Sequence, residues 1–94
     1  VVSVDGSARK LNFKDHIDVR GLRAAEALEE VRDFIDDAIM VGVGTVTILH
    51  GKGTGALKEE IRRYLRTVPE VERAADEHAD RGGAGITVVT LRMD

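Results

Sequence analysis

Between Thr45 and Gly55 the chain runs from TVTIL directly into HGKGTG and then into the apolar spacing of a helix. A β-branched strand that feeds a glycine-rich turn and a helix is a building block of α/β layers. In such a turn the glycines let backbone approach a ligand, Lys52 adds a mobile positive charge, and Thr54 is placed to cap the helix while first-turn N–H groups point outward. These features describe an anion nest. The loop lacks the GxxxxGK[ST] spacing of a Walker A loop and the GxGxxG of a dinucleotide fold. The same glycines would also serve a plain strand-to-helix turn.

The remaining segments fit one small domain around that unit. A chain of 94 residues suits a single core, and with 43% hydrophobic but 3% aromatic residues that core is aliphatic. Ile17 and Val19 share one face of a first strand, with His16, Asp18 and Arg20 on the other. Apolar residues at Leu28, Val31, Ile35, Ala38 and Ile39 predict a helix over 24–41, acidic outside and ended by Gly42. No good side-chain cap precedes it, although Glu26 suits the helix dipole. Leu57, Ile61, Leu65 and Val68 predict a second helix stopped by Pro69.

Residues 71–80 read as a weaker extended segment, Arg81 to Gly85 as a turn, and Ile86 to Leu91 as the strongest strand. The last two strands are expected to form a hairpin, and the first two to pair in parallel across a helical crossover. The predicted fold is therefore α/β, a two-layer βαβαββ sandwich with a mixed four-stranded sheet and two helices on one face. Residues 1–14 are expected to form an extended arm or linker remnant, with the domain over 15–94, and the valine start suggests a fragment.

Composition excludes several functions. Without cysteine there is no disulfide, thiolate zinc site or cysteine nucleophile, which is compatible with a reducing cytosol. No apolar run approaches the roughly 20 residues needed to span a bilayer, so no membrane role is expected. A net charge of −3 makes any polyanion site a local basic patch.

Candidate functional residues cluster on three elements. Lys58, Arg62 and Arg66 recur at helical spacing, with Arg63 beside them, and form either a basic stripe leading away from the loop or a solvated face shared with Glu59 and Glu60. Asp18 and Arg20 project together near a strand end, where a carboxylate orients water or a metal ion and a guanidinium clamps phosphate. Their bland alternative is a surface ion pair. His50 would lie beside them if the first two strands pair, bringing an acid, a cation and an imidazole to one edge. Asp76 with His78 falls short of a metal site, and exposure or a hydrogen bond is expected for both. His16 is expected to be exposed, and Gly82, Gly83 and Gly85 to serve the turn, with Arg81 within reach of a backbone.

Three of these segments in order, Ile17-Asp18-Val19-Arg20-Gly21, HGKGTG from His50, and Gly82-Gly83-Ala84-Gly85-Ile86-Thr87-Val88-Val89, resemble the motifs of the Smr (small MutS-related) domain. Arg20, where many such domains have histidine, resembles the form at the C-terminus of bacterial MutS-two-type proteins. That resemblance implies a sandwich similar to the C-terminal domain of bacterial translation initiation factor three. It also implies DNA-nicking endonuclease activity within a larger cytoplasmic, homodimeric ATPase that suppresses recombination. In a nuclease of this kind Gly51, Lys52, Gly53, Thr54 and Gly55, with Lys58 and Arg62, hold the nucleic acid and Arg20 stabilises charge on the phosphorus. Asp18 orients water or a divalent cation, Mg²⁺ or Mn²⁺, and His50 is the acid or base. Arginine at position 20 removes one proton-transfer group from the family pattern. The alternative is a module that docks DNA or ribosomal RNA, including on collided ribosomes, without cutting.

Overall fold

A computed structural model describes residues 13–92, and within them the chain folds as β1 (His16–Asp18), α1 (Ala24–Val41), β2 (Thr45–Leu49), α2 (Ala56–Leu65), β3 (Val71–Asp76) and β4 (Ile86–Leu91). The arm expected over residues 1–14 lies outside the described residues except for Phe13 and Lys14. Phe13 is partly buried and stacks on Phe34 of α1, with ring centroids 5.7 Å apart.

The four strands form one mixed sheet in the order β1-β2-β4-β3. β1 runs parallel to β2, as a crossover through α1 requires, while β4 is antiparallel to both β2 and β3. Val46 and Ile48 of β2, Val89 and Leu91 of β4, and Val19 just after β1 are buried with Val31, Ile35 and Ala38 of α1 and Ile61 and Leu65 of α2. The aliphatic core thus lies between one sheet face and the two helices. Arg32 of α1 lies over the Tyr64 ring of α2 at 5.5 Å, linking the helices at their outer edge.

Several boundaries differ from the sequence expectation. β1 ends at Asp18, and the chain turns at Arg20 and Gly21. α2 stops at Leu65, before Val68, because Thr67 and Val68 donate to Tyr64 and Leu65 in tight turns that bring the chain to Pro69. Extended structure in the third strand ends at Asp76, and residues 79–81 and 83–85 form two 3₁₀ turns. α1 matches its expected span, and Glu26 reaches back to accept the Arg23 N–H at 3.2 Å, which supplies the start that lacked an obvious cap.

A register shift between Val71 and Arg73 decides which side chains of β3 meet the helices. Simple alternation from Val71 would send Arg73 and Ala75 toward the helices. The bulge reverses this, so that Ala74 pairs with buried Val89 and Asp76 with buried Thr87. Asp76 therefore faces α2.

Candidate nucleic-acid interface

Asp18 and Arg20 meet as the sequence suggests. Arg20 donates from Nε to Oδ1 at 3.0 Å and from Nη2 to Oδ2 at 2.8 Å, and its backbone N–H also donates to Oδ1 at 3.0 Å. The side-chain fork, followed by the backbone N–H, holds the Asp18 carboxyl at about 2. Asp18 is consequently ionised and weakly basic at neutral pH. A guanidinium has five N–H bonds, and this pairing leaves Nη1 and the outer N–H of Nη2 available to an oxyanion. Both side chains are about half exposed.

The glycine loop lies beside that fork. Gly51 has φ of 82°, and a Cβ there would sit 3.5 Å from Arg20 Cγ, so the arginine stem passes directly over its backbone. Across the loop, the Gly85 carbonyl accepts both the His50 and Gly51 N–H groups, at 3.1 and 3.0 Å. Gly85 thus pins the start of the loop to the end of the β3–β4 connection. The sequence assigns Gly85 to the turn; its second role depends on a contact between segments far apart in the chain.

Beyond this anchor the loop supplies donors. Among the described residues, the amides of Lys52, Gly53 and Thr54 and those of Leu57 and Lys58 in the first turn of α2 have no hydrogen-bond acceptor. The helix cap itself is Gly55, in the left-handed region. Thr54 contributes from one residue earlier, its Oγ1 accepting the Ala56 N–H at 3.3 Å. Residues 51–58, with Leu22, Ala24 and Glu60, line a groove of about 310 Å³. Lys52 makes no ion pair among the described residues. Free amides, a helix N-terminus and an unpaired ammonium at one groove are donors of the kind an anion site uses.

His50 is set apart from Asp18 and Arg20. Asp18 pairs with Leu49, so the next residue turns to the opposite face, toward the helices, where His50 is 5% exposed. Its Nδ1 lies 2.8 Å from the Gly51 carbonyl oxygen, which only accepts, so Nδ1 carries the proton. Nε2 is then the acceptor for the Thr87 hydroxyl at 2.7 Å. Arg62 donates to the same hydroxyl oxygen from Nε and Nη2, at 3.3 and 3.2 Å. Burial above all, with Lys58 and Arg62 nearby, holds His50 below the usual histidine range, against the opposing pull of the Gly51 carbonyl. The imidazole is neutral at pH 7. The edge where an acid, a cation and an imidazole were expected to converge therefore holds the acid and the cation.

The basic stripe is partly neutralised within the molecule. Asp76 accepts from Lys58 Nζ at 2.6 Å and from Arg62 Nη2 at 2.7 Å, both on Oδ1. Lys58 first, then Arg62, lowers its pKa. Arg63 pairs with Glu60. Asp76 has two cationic partners, and His78 caps the following 3₁₀ turn by accepting the Asp80 N–H at 3.3 Å. Among the described residues no three His, Cys, Asp or Glu side chains gather closely enough to hold a metal ion. None of the described helices is long and apolar enough to cross a membrane.

Comparison with known proteins agrees with this architecture. A family model described as the Smr domain matches residues 17–92. The chain is 46% identical over 81 residues to an endonuclease MutS2 of Halalkalibacterium halodurans, and 50% identical over 76 residues to that of Thermus thermophilus. Those alignments cover 86% and 81% of this chain but only 10% of each relative. The crystal structure of the Smr domain of Thermus thermophilus MutS2 superimposes with a TM-score of 0.80 at 48% identity, covering 84% of this chain and 99% of that one. YdaL, a stand-alone small MutS-related protein of Escherichia coli, shares the fold with a TM-score of 0.79 at 22% identity, over 98% of this chain and 78% of its own. With the family model matching residues 17–92 and the MutS2 domain superimposing over 84% of this chain, the chain belongs to the Smr domain family.

Proposed function

We propose that this domain grips a nucleic-acid backbone at the Gly51–Gly55 loop and nicks DNA there, as part of a cytoplasmic, homodimeric MutS2-type ATPase that suppresses recombination. The observation that carries the reading is the Asp18–Arg20 fork, whose arginine stem packs over Gly51 at the head of a loop with unpaired amides. A phosphodiester at the loop receives those amides and Lys52 on one side and Arg20 on the other. Arg20 stabilises charge developing on the phosphoryl oxygens. Asp18 fixes the guanidinium and presents its carboxylate to the attacking water or to a divalent cation, Mg²⁺ or Mn²⁺. Lys58 and Arg62 support the path of the strand along α2. The MutS2 relatives named as endonucleases are consistent with this chemistry.

A second reading, docking to DNA or to ribosomal RNA on a ribosome without cleavage, is favoured by one observation. The carboxylate and the imidazole assigned to the chemistry are poor proton acceptors as they stand, Asp18 through its pairing with Arg20 and His50 through the Thr87 hydroxyl on Nε2. A nicking assay on supercoiled plasmid, with and without Mg²⁺ or Mn²⁺, separates the two. Cleavage by the wild type, lost in Asp18→Ala and Arg20→Ala, supports the nuclease. Intact plasmid with salt-sensitive binding that weakens in Lys52→Ala supports the docking module. Nicking at the wild-type rate by Asp18→Ala overturns the assigned mechanism.

A further inference from the structure

We infer that Thr87 is the positioning residue of the glycine loop, acting through His50 to hold the Gly51 carbonyl and so to aim the loop amides outward. Thr87 is fully buried on the helix-facing side of β4, and its single oxygen joins two elements. Arg62 of α2 donates to it twice, and it donates to His50 Nε2. Because Arg62 supplies both hydrogens received by that oxygen, the hydroxyl proton is left to point at the imidazole. Nε2 cannot then carry a proton of its own, so the proton resides on Nδ1, directed at Gly51.

The chain of donors is thus oriented from α2 inward to the loop. Asp76 holds its outer end by accepting from Arg62 and Lys58, and these three are the charged groups facing the imidazole. Among the described residues no buried side-chain nitrogen or oxygen is left unpartnered, so losing the Thr87 hydroxyl would leave a buried partner unpaired. Gly85 fixes the N–H groups of His50 and Gly51 while His50 fixes the Gly51 carbonyl, so that this one peptide segment is held from both sides. A turn restrained in this way presents its next amides in one direction, which is what an anion site requires. Thr87 lines no part of the groove; it reaches the loop through His50, and its other partner is Arg62 on α2, so the loop amides rather than affinity alone report the positioning role.

The inference builds on the proposed backbone site, but it makes its own prediction about the free protein. Nitrogen-15 NMR of the imidazoles should show His50 of the wild type as the Nδ1–H tautomer. In Thr87→Val, which keeps the shape and removes the hydroxyl, that tautomer should give way to exchange or to Nε2–H, with shifts of the Gly51–Gly55 amides. Affinity for a short phosphodiester oligonucleotide should fall about tenfold, the effect of roughly one lost hydrogen bond. Thr87→Ser should restore the tautomer and bring affinity to within about twofold of the wild type. If Thr87→Val fails to fold, the wild-type tautomer and the Thr87→Ser spectrum decide the matter. An Nε2–H wild type, or unchanged loop amides in a folded Thr87→Val, overturns the inference. A wild type that binds no oligonucleotide but shows the expected tautomer and amide shifts overturns the nucleic-acid reading and leaves the positioning role standing.

Discussion

Arg20 closes on Asp18 as a two-pronged fork and in doing so draws its own stem across the backbone of Gly51. The pair ties the end of β1 to the glycine loop, and its energetic worth as an exposed ion pair is small. Its value to a site is geometric. The carboxylate sets the plane of the guanidinium and leaves its other edge open to an oxyanion.

Removal of the fork should release Asp18. In Arg20→Ala its carboxyl should climb from about 2 toward the ordinary 3.8, followed by carbon-13 NMR of the side-chain carboxyl. Arg20→Lys should recover only part of the shift, since an ammonium lacks the second prong. A depressed carboxylate contributes stability that is present above its unfolded value and lost as pH falls through the folded one. The contribution of Asp18 should therefore be constant above about pH 5, decline below it, and be lost below about pH 2.

His50 carries the opposite chemical type with the same direction of shift. Its pKa is lowered in the fold, so its contribution is complete above the unfolded value of 6.5 and declines as pH falls below it. Urea unfolding at pH 7 and pH 5 should show the wild type losing more stability on acidification than His50→Gln does. Equal losses in the two proteins would show that the imidazole is not held neutral by its surroundings.

The two adjacent glycines at the β3–β4 connection should differ sharply. A Cβ at Gly82, where φ is 121°, would lie 2.5 Å from Ile86 Cδ1, whereas one at Gly83, where φ is 52°, meets nothing within 4 Å. Gly82→Ala combines backbone strain with overpacking and should cost about 3 kcal/mol. Gly83→Ala carries only the left-handed penalty, about 1 kcal/mol. Chemical denaturation of both variants measures the difference.

Asp76 restrains two cations, and Asp76→Asn should loosen them. If Lys58 lies on the path of a nucleic-acid backbone, the slope of log K against log salt should become more negative by about one, with higher affinity at low salt. An unchanged slope would place Lys58 and Arg62 off that path and leave them to the internal network.

Local pattern was enough to read much of this fold. The aliphatic spacing from Ala24 to Val41 closed by Gly42, the β-branched run Thr45–Leu49, and the parallel pairing across α1 are each decided by forces acting within a turn, a strand or one crossover. The donor-rich character of the glycine loop was legible for the same reason, since glycine freedom and free first-turn amides are local properties. α2 is shorter than its sequence pattern predicts because Pro69 marks where a helix cannot continue, whereas this helix ends earlier in turns that bring the chain to β3.

The composition of the site depended on partners that local pattern does not choose. Asp18 stands opposite Leu49, so alternation turns His50 to the helix side and away from the Asp18–Arg20 fork. A bulge after Val71 reverses the parity of β3 and delivers Asp76 to Lys58 and Arg62. The register of Gly85 lets one carbonyl hold the head of the loop. By itself the sequence determined the elements and the presence of a glycine-rich, donor-rich turn, because short-range sterics and hydrophobic spacing act along the chain. Only the tertiary structure decided which side chains share that turn, because a shift of one residue in strand register exchanges the two faces of a sheet.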